Sequence, residues 1–129
     1  MVREILVKSL DEYQSNLASL TTDEKVSRIF TLFMAATDPN TGDSWCPDCR
    51  AAEPLIEEAL GQLENRDDVV FFIVEVGNRQ AWSDGDNVFR HLADQCVTGL
   101  PTLVEVKTQA RLNQTECQVK DKVMQFFAC

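Results

Sequence analysis

Basic residues are scarce in this chain of 129 residues: 12 Lys and Arg stand against 21 Asp and Glu, for a formal net charge of -9. Phosphate backbones are bound by basic surface, so a nucleic-acid partner is not expected. Long apolar runs are missing as well. Nothing approaches the roughly 18 consecutive apolar residues that span a bilayer. The opening MVREILVKSLDEYQSNL is interrupted by Asp11 and Glu12 before an export signal could develop. These absences point to a cytoplasmic protein with no membrane association, taken as a monomer. Histidine occurs once, so a zinc site cannot draw on a histidine cluster. Glycine (5) and proline (4) are too few to mark a low-complexity tract or a linker.

A hydrophobic fraction of 44% with 26% charged residues supplies a core and argues against disorder. The length fits a single domain covering residues 1–129. Five cysteines, an odd number, in a reducing compartment imply single thiols and no disulfide scaffold.

Apolar patterning alternates between short β-type runs and helical periodicity. Residues 4–10 (EILVKSL) read as a strand, and Ser9 with Glu12 is spaced as a capping box opening a helix. Residues 26–36 (VSRIFTLFMAA) and 67–77 (DDVVFFIVEVG) read as buried strands, separated by a helix carrying Leu55, Ile56, Ala59, Leu60 and Leu63 at helical spacing. A polar loop with Trp82 leads to an expected amphipathic helix over residues 86–96. Strands are expected at residues 102–108 and, weakly, 110–116, followed by a closing helix over residues 118–127 with Val119, Val123 and Phe127 in line. The resulting β-α-β-α-β-α-β-β-α order predicts an α/β fold, a central sheet with helices on both faces.

The chemistry-bearing stretch is SWCPDCR, residues 44–50. Its two cysteines could exchange electrons, hold a metal, or fill space. A zinc site needs about four ligands, and beyond His91, Cys96, Cys117 and Cys129 no second pair has ligand spacing; no metal is expected. Inert burial suits poorly a Trp-Cys-Pro step that follows the turn-rich loop TDPNTGDS. For electron exchange the placement is apt. Cys46 would stand at a helix N-terminus, where unsatisfied N–H groups and the helix dipole favour a thiolate, with Pro47 one step inside. A stabilised thiolate is a good leaving group when a second thiol attacks the mixed disulfide. Cys49 lies one helical turn on, within bridging reach. Cys46 is then the nucleophile and Cys49 the resolving thiol.

WCPDCRAAEP, with Pro54 five residues past the second cysteine, resembles the active-site segment of the thioredoxin superfamily. The downstream VTGLPTL resembles its second landmark, in which Pro101 corresponds to the family's cis-proline facing the cysteines. The Pro47-Asp48 pair and the eight residues before Trp45 are similar to small cytosolic thioredoxin-related proteins within that superfamily. The resemblance covers essentially the whole chain. It implies a thioredoxin fold with a mixed central sheet, and a disulfide reductase with no bound cofactor, reduced by thioredoxin reductase with electrons from NADPH. It further implies small disulfides such as cystine and a limited set of protein disulfides as substrates, with Trp45, Leu100 and Pro101 contacting them.

Two departures matter. Thioredoxin carries a buried aspartate before the central-strand phenylalanine, where this chain has Leu32 before Phe33. Asp48 either disfavours a second thiolate and tunes the pair's redox potential or is a solvated acid at a helix start. Trp45 either meets the client or packs over the helix. Cys96 and Cys117 read as small buried hydrophobes, and Cys129 as an exposed terminal thiol. The rival class is a redox-sensitive binding module, whose Cys pair switches a partner contact on or off; an oxidase or isomerase would suit an oxidising compartment instead.

Overall fold

The computed structural model describes residues 1–93 and 95–128. Strand β1 (Arg3–Val7) leads into helix α1 (Leu10–Thr21). The capping box forms as the spacing predicts: Ser9 Oγ accepts from the Glu12 N–H at 3.2 Å, and the Glu12 carboxylate reaches back to the Lys8 N–H at 3.1 Å. Strand β2 (Arg28–Met34), helix α2 (Pro47–Leu60) and strand β3 (Val69–Glu75) follow, then a short helix α3 (Arg79–Ser83), strands β4 (Thr102–Glu105) and β5 (Arg111–Leu112), and helix α4 (Lys120–Phe127).

The five strands form one sheet in the order β1-β3-β2-β4-β5. β3 is parallel to both β1 and β2, whereas β4 is antiparallel to β2 and to β5, so the sheet is mixed as expected. The crossover from β1 to β2 steps one way across the sheet and the crossover from β2 to β3 steps back. Both being right-handed, α1 and α2 are set on opposite faces. Side-chain parity agrees. Phe33 and Phe72 meet Tyr13 of α1 edge-on at 5.8 and 5.2 Å between centroids. Phe30 and Phe71, of opposite parity on the same strands, meet Phe127 of α4 at 4.6 and 6.1 Å. Each such aromatic pair contributes about 0.5–1.5 kcal/mol beyond its buried area. No helix among the described residues is long and apolar enough to cross a membrane.

Four expectations are corrected. Residues 86–96 do not form an amphipathic helix; a single 3-10 turn over Val88–His91 replaces it, capped by Asn87 Oδ1 on the Phe89 N–H at 3.0 Å. One long-range bond and one local return win over helical continuation there. The buried Tyr13 hydroxyl donates to Gln95 Oε1 at 3.0 Å, and the Val97 N–H returns to Phe89 O at 3.1 Å. Part of that stretch, Asp94, lies outside the described residues. Conversely, the polar loop contains α3, because Asn78 caps it (2.8 Å to the Ala81 N–H) and Trp82 buries itself under Arg90, 3.8 Å above its ring. β4 ends at Glu105, where the chain turns back through Gln109 at φ 65°. Finally, Val119 stays outside the buried line of α4 and is 41% exposed.

Candidate active site

β2 carries the chain to the edge where α2 begins, and residues 37–44 fold into a closed strap between them. The Asp38 carbonyl accepts from the Thr41 and Gly42 N–H groups at 3.2 and 2.8 Å, Asp38 Oδ1 takes the Asn40 N–H at 2.8 Å, and Thr37 bridges Ser44. Gly42, at φ 77°, supplies the left-handed turn that closes the strap. The strap returns Trp45 to Ala36, whose carbonyl takes its N–H at 3.4 Å.

Cys46 is the N-cap of α2 and Pro47 its first residue, as the sequence predicts. Pro54 lies inside the same helix. The two sulfurs differ in access: Cys46 is 8% exposed and Cys49 only 1%, so an incoming disulfide meets Cys46 first. The Cys46 thiol donates to the Leu100 carbonyl at 3.8 Å, across from the cis Leu100–Pro101 bond, so the two motifs separated by half the chain meet at one sulfur. Both Leu100 and Pro101 are buried. Asp48 and Pro47 are exposed.

Burial pushes the Cys49 thiol up to about 12; the Ala35 backbone and the Ser44 hydroxyl act the other way, and the neighbouring Cys46 adds to the rise. Cys49 therefore holds its proton beside Cys46. Ser44 is the connector that sequence reasoning missed. Buried at 4% exposure, it donates to Ala35 O at 3.2 Å and accepts from the Cys46 N–H at 3.4 Å. Its position two residues before a helix-capping cysteine was the available signal.

Trp45 is half-buried. Its indole N–H donates to Gly77 O at 3.0 Å and one ring face stacks under Arg79, 5.1 Å from the guanidinium. The side chain also lines a cleft of about 490 Å³, together with Thr37, Asp38 and Thr41 of the strap and Asn78, Arg79 and Gln80. The strap thus rims the cysteine motif. Arg50, the last residue of SWCPDCR, also lines this cleft and anchors there by donating to Ser44 O at 2.6 Å.

Leu32 is buried on the α2 face of the sheet, at the position of the absent aspartate. Among the carboxyls on that side, which include Glu4 and Glu57, is Glu53, one turn beyond Cys49. It lines a cavity of about 160 Å³ with Leu32, Ile56 and Ile73, and burial raises its pKa, helped by Glu57 and Asp43. Sequence reading missed it because Glu53 looks like one more acid on a charged helix.

The remaining thiols separate. Cys117 is fully buried, as expected, and burial pushes it up to about 12. Cys96 is a correction: it is exposed, donating to Arg90 O at 3.0 Å, because the helix meant to bury it does not form. Cys129 lies outside the described residues. His91 meets Gly85 O at 2.6 Å, and no group of three His, Cys, Asp or Glu among the described residues is arranged to hold a metal ion.

Residues 6–129 match the family model described as thioredoxin domain-containing protein 17-like, thioredoxin domain. Thioredoxin domain-containing protein 17 of Danio rerio is 34% identical over 124 residues, covering 96% of this chain and 94% of that protein. Thioredoxin-like protein Clot of Arabidopsis thaliana is 40% identical over 93 residues, covering 70% and 68%. Among solved structures, chloroplastic thioredoxin z superposes with a TM-score of 0.58 at 17% identity, covering 98% of this chain and 93% of that one, a likeness of fold.

Proposed function

This chain belongs to the thioredoxin domain-containing protein 17-like family, whose thioredoxin domain makes it a thiol-disulfide oxidoreductase, and from that premise we propose that it works as a cytoplasmic disulfide reductase. The observation that carries the proposal is the asymmetry of the pair: the less buried Cys46 at the N-terminus of α2, and a more deeply buried Cys49 that keeps its proton beside it. Cys46, as thiolate, attacks one sulfur of the client disulfide, forming a mixed disulfide and expelling the first client thiolate. Cys49 then gives up its proton and attacks Cys46 Sγ, expelling the second. Two electrons pass to the client and a Cys46–Cys49 disulfide remains. Thioredoxin reductase reopens it with electrons from NADPH; no cofactor or metal binds the chain itself.

Pro47 fixes the helix start and Asp48 tunes the pair's potential. Leu100 and Pro101 dock the client beside Cys46, and Trp45 contacts it. Clients are small disulfides such as cystine together with a limited set of protein disulfides, and the chain acts as a monomer. NADPH consumption in the presence of thioredoxin reductase, offered cystine and then insulin, tests the reading. Turnover on cystine with little on insulin is expected. No turnover on either, from protein whose Cys46 is reduced and alkylatable, would overturn it. Cys49→Ser should trap a range of small-molecule and protein mixed disulfides; capture of a single partner would favour a redox-switched binding module instead.

A further inference from the structure

Two guanidiniums stand out in an acidic molecule. Arg50 and Arg79 line the cleft beside Trp45, and among the described residues neither forms an ion pair with a carboxylate, although acids outnumber bases 21 to 12. Each is held in place by a backbone carbonyl. Arg50 donates through Nη1 to Ser44 O at 2.6 Å, and Arg79 through Nη2 to Trp45 O at 3.4 Å while stacking on the Trp45 ring. Those bonds use one N–H of the five on each guanidinium. What is left is a pair of anchored donors lining one cleft, with the planar geometry that suits a carboxylate. Asp38 lines the same cleft but has its Oδ1 engaged by the Asn40 N–H. The three charges sum to +1 at a place where the molecule as a whole is at -9.

The cleft's size, about 490 Å³, is that of a small-molecule site. Its location ties it to the sulfur chemistry: Ser44, which carries the Arg50 anchor, also accepts the Cys46 N–H. In a small disulfide such as cystine or a thioglycolate disulfide, the carboxylate is only a few bonds from the reacting sulfur. An anchor for it must lie near Cys46, and this cleft is lined by Ser44 and Trp45, the two residues before it. We propose that Arg50 and Arg79 form a carboxylate-binding subsite that selects small carboxylate-bearing disulfides for attack by Cys46. This rests on the reductase reading and adds the residues that recognise the substrate's carboxylate. The chemistry is unchanged: the protein dithiol and RSSR give the Cys46–Cys49 disulfide and two RSH.

The test follows oxidation of the pre-reduced protein itself, so that it needs no reductase. Second-order rates of Cys46–Cys49 disulfide formation are measured by quenched alkylation and mass spectrometry. The probes are dithiodiglycolic acid, which carries carboxylates and no amine, and cystamine, which carries amines and no carboxylate. The Arg50→Ala/Arg79→Ala double variant should lose about tenfold with dithiodiglycolic acid, the product of about threefold for each partly exposed charge, and should react no more slowly with the dicationic cystamine. Arg50→Lys, retaining the charge, should lose less than Arg50→Ala. Equal slowing with both probes would mean that the guanidiniums act on the sulfur chemistry or on the fold, and an unchanged dithiodiglycolate rate would mean that they bind nothing; either result overturns the subsite. Failure of thioredoxin reductase to recycle the protein would count against the reductase reading while leaving these rates, and the subsite, as measured.

Discussion

At Cys49 and Cys117 burial holds a thiol in its neutral form, and this couples the fold to alkaline pH. Both pKa values rise from 9.0 to about 12. Below pH 9 the folded and unfolded chains are equally protonated at these sites, so their full contribution is present. Between about 9 and 12 the unfolded chain releases its protons and the folded chain does not, so stability falls as pH rises. Cys117→Ala should therefore show a shallower loss of urea midpoint between pH 8 and 10.5 than the parent chain; parallel curves would mean that Cys117 ionises freely in the folded state. Glu53 obeys the same sign at acid pH. Its carboxyl is raised by burial and by Glu57 and Asp43, so the charged form is the costly one and stability declines as pH climbs through the carboxyl range. Glu53→Gln should stabilise the protein at pH 7 and leave it little changed at pH 3.5. Destabilisation at pH 7 would show that the carboxylate has a partner worth more than its desolvation.

Among the elements, the junction of β3 and α3 holds the tryptophan of the motif. Gly77 sits at φ 120°, its carbonyl accepts from both the Ala36 N–H and the Trp45 indole, and a Cβ there would stand 2.9 Å from Ala81 Cβ. Gly77→Ala should cost about 1–3 kcal/mol, from positive φ and the clash together. It should also shift tryptophan emission as Trp45 loses its anchor; unchanged emission with unchanged stability would contradict that placement. The elements most legible in the sequence were those whose local signals and tertiary role coincide: the Ser9 capping box, the two continuous apolar strands, and Pro47 behind Cys46. Residues 86–96 were misread because their spacing is helical while Gln95 is claimed by Tyr13, far away in sequence, and the Val97 N–H folds back onto Phe89. Trp82 marked a helix that a polar composition concealed.

Over the whole molecule, Arg28 joins parts of the chain about a hundred residues apart. It pairs with Glu105 at 2.8 Å, both side chains being largely buried, and donates to the carbonyls of Phe126, Phe127 and Ala128 at 2.9–3.2 Å. A cation at a helix C-terminus complements its dipole, so one side chain fastens α4 onto β2 and β4. Arg28→Ala should cost about 3 kcal/mol by stranding Glu105, in line with other broken buried pairs, and a urea midpoint within error of the parent would refute it. None of this was visible in the sequence, where Arg28 is an isolated charge in an apolar strand. The same holds for the cleft beside Trp45, whose walls come from residues 37–41, 50 and 78–80. Spacing along a chain reveals motifs; pairings across it emerge only once the sheet has set them side by side.

The central claim is that Cys46 and Cys49 form the working redox pair. Its most direct test is to oxidise the reduced protein with one equivalent of cystine, alkylate, and map every cysteine by mass spectrometry. The expected product is a Cys46–Cys49 disulfide, with Cys96 and Cys117 left as thiols. A product in which Cys46 and Cys49 remain alkylatable, or in which the oxidising equivalent resides on Cys96, would contradict it.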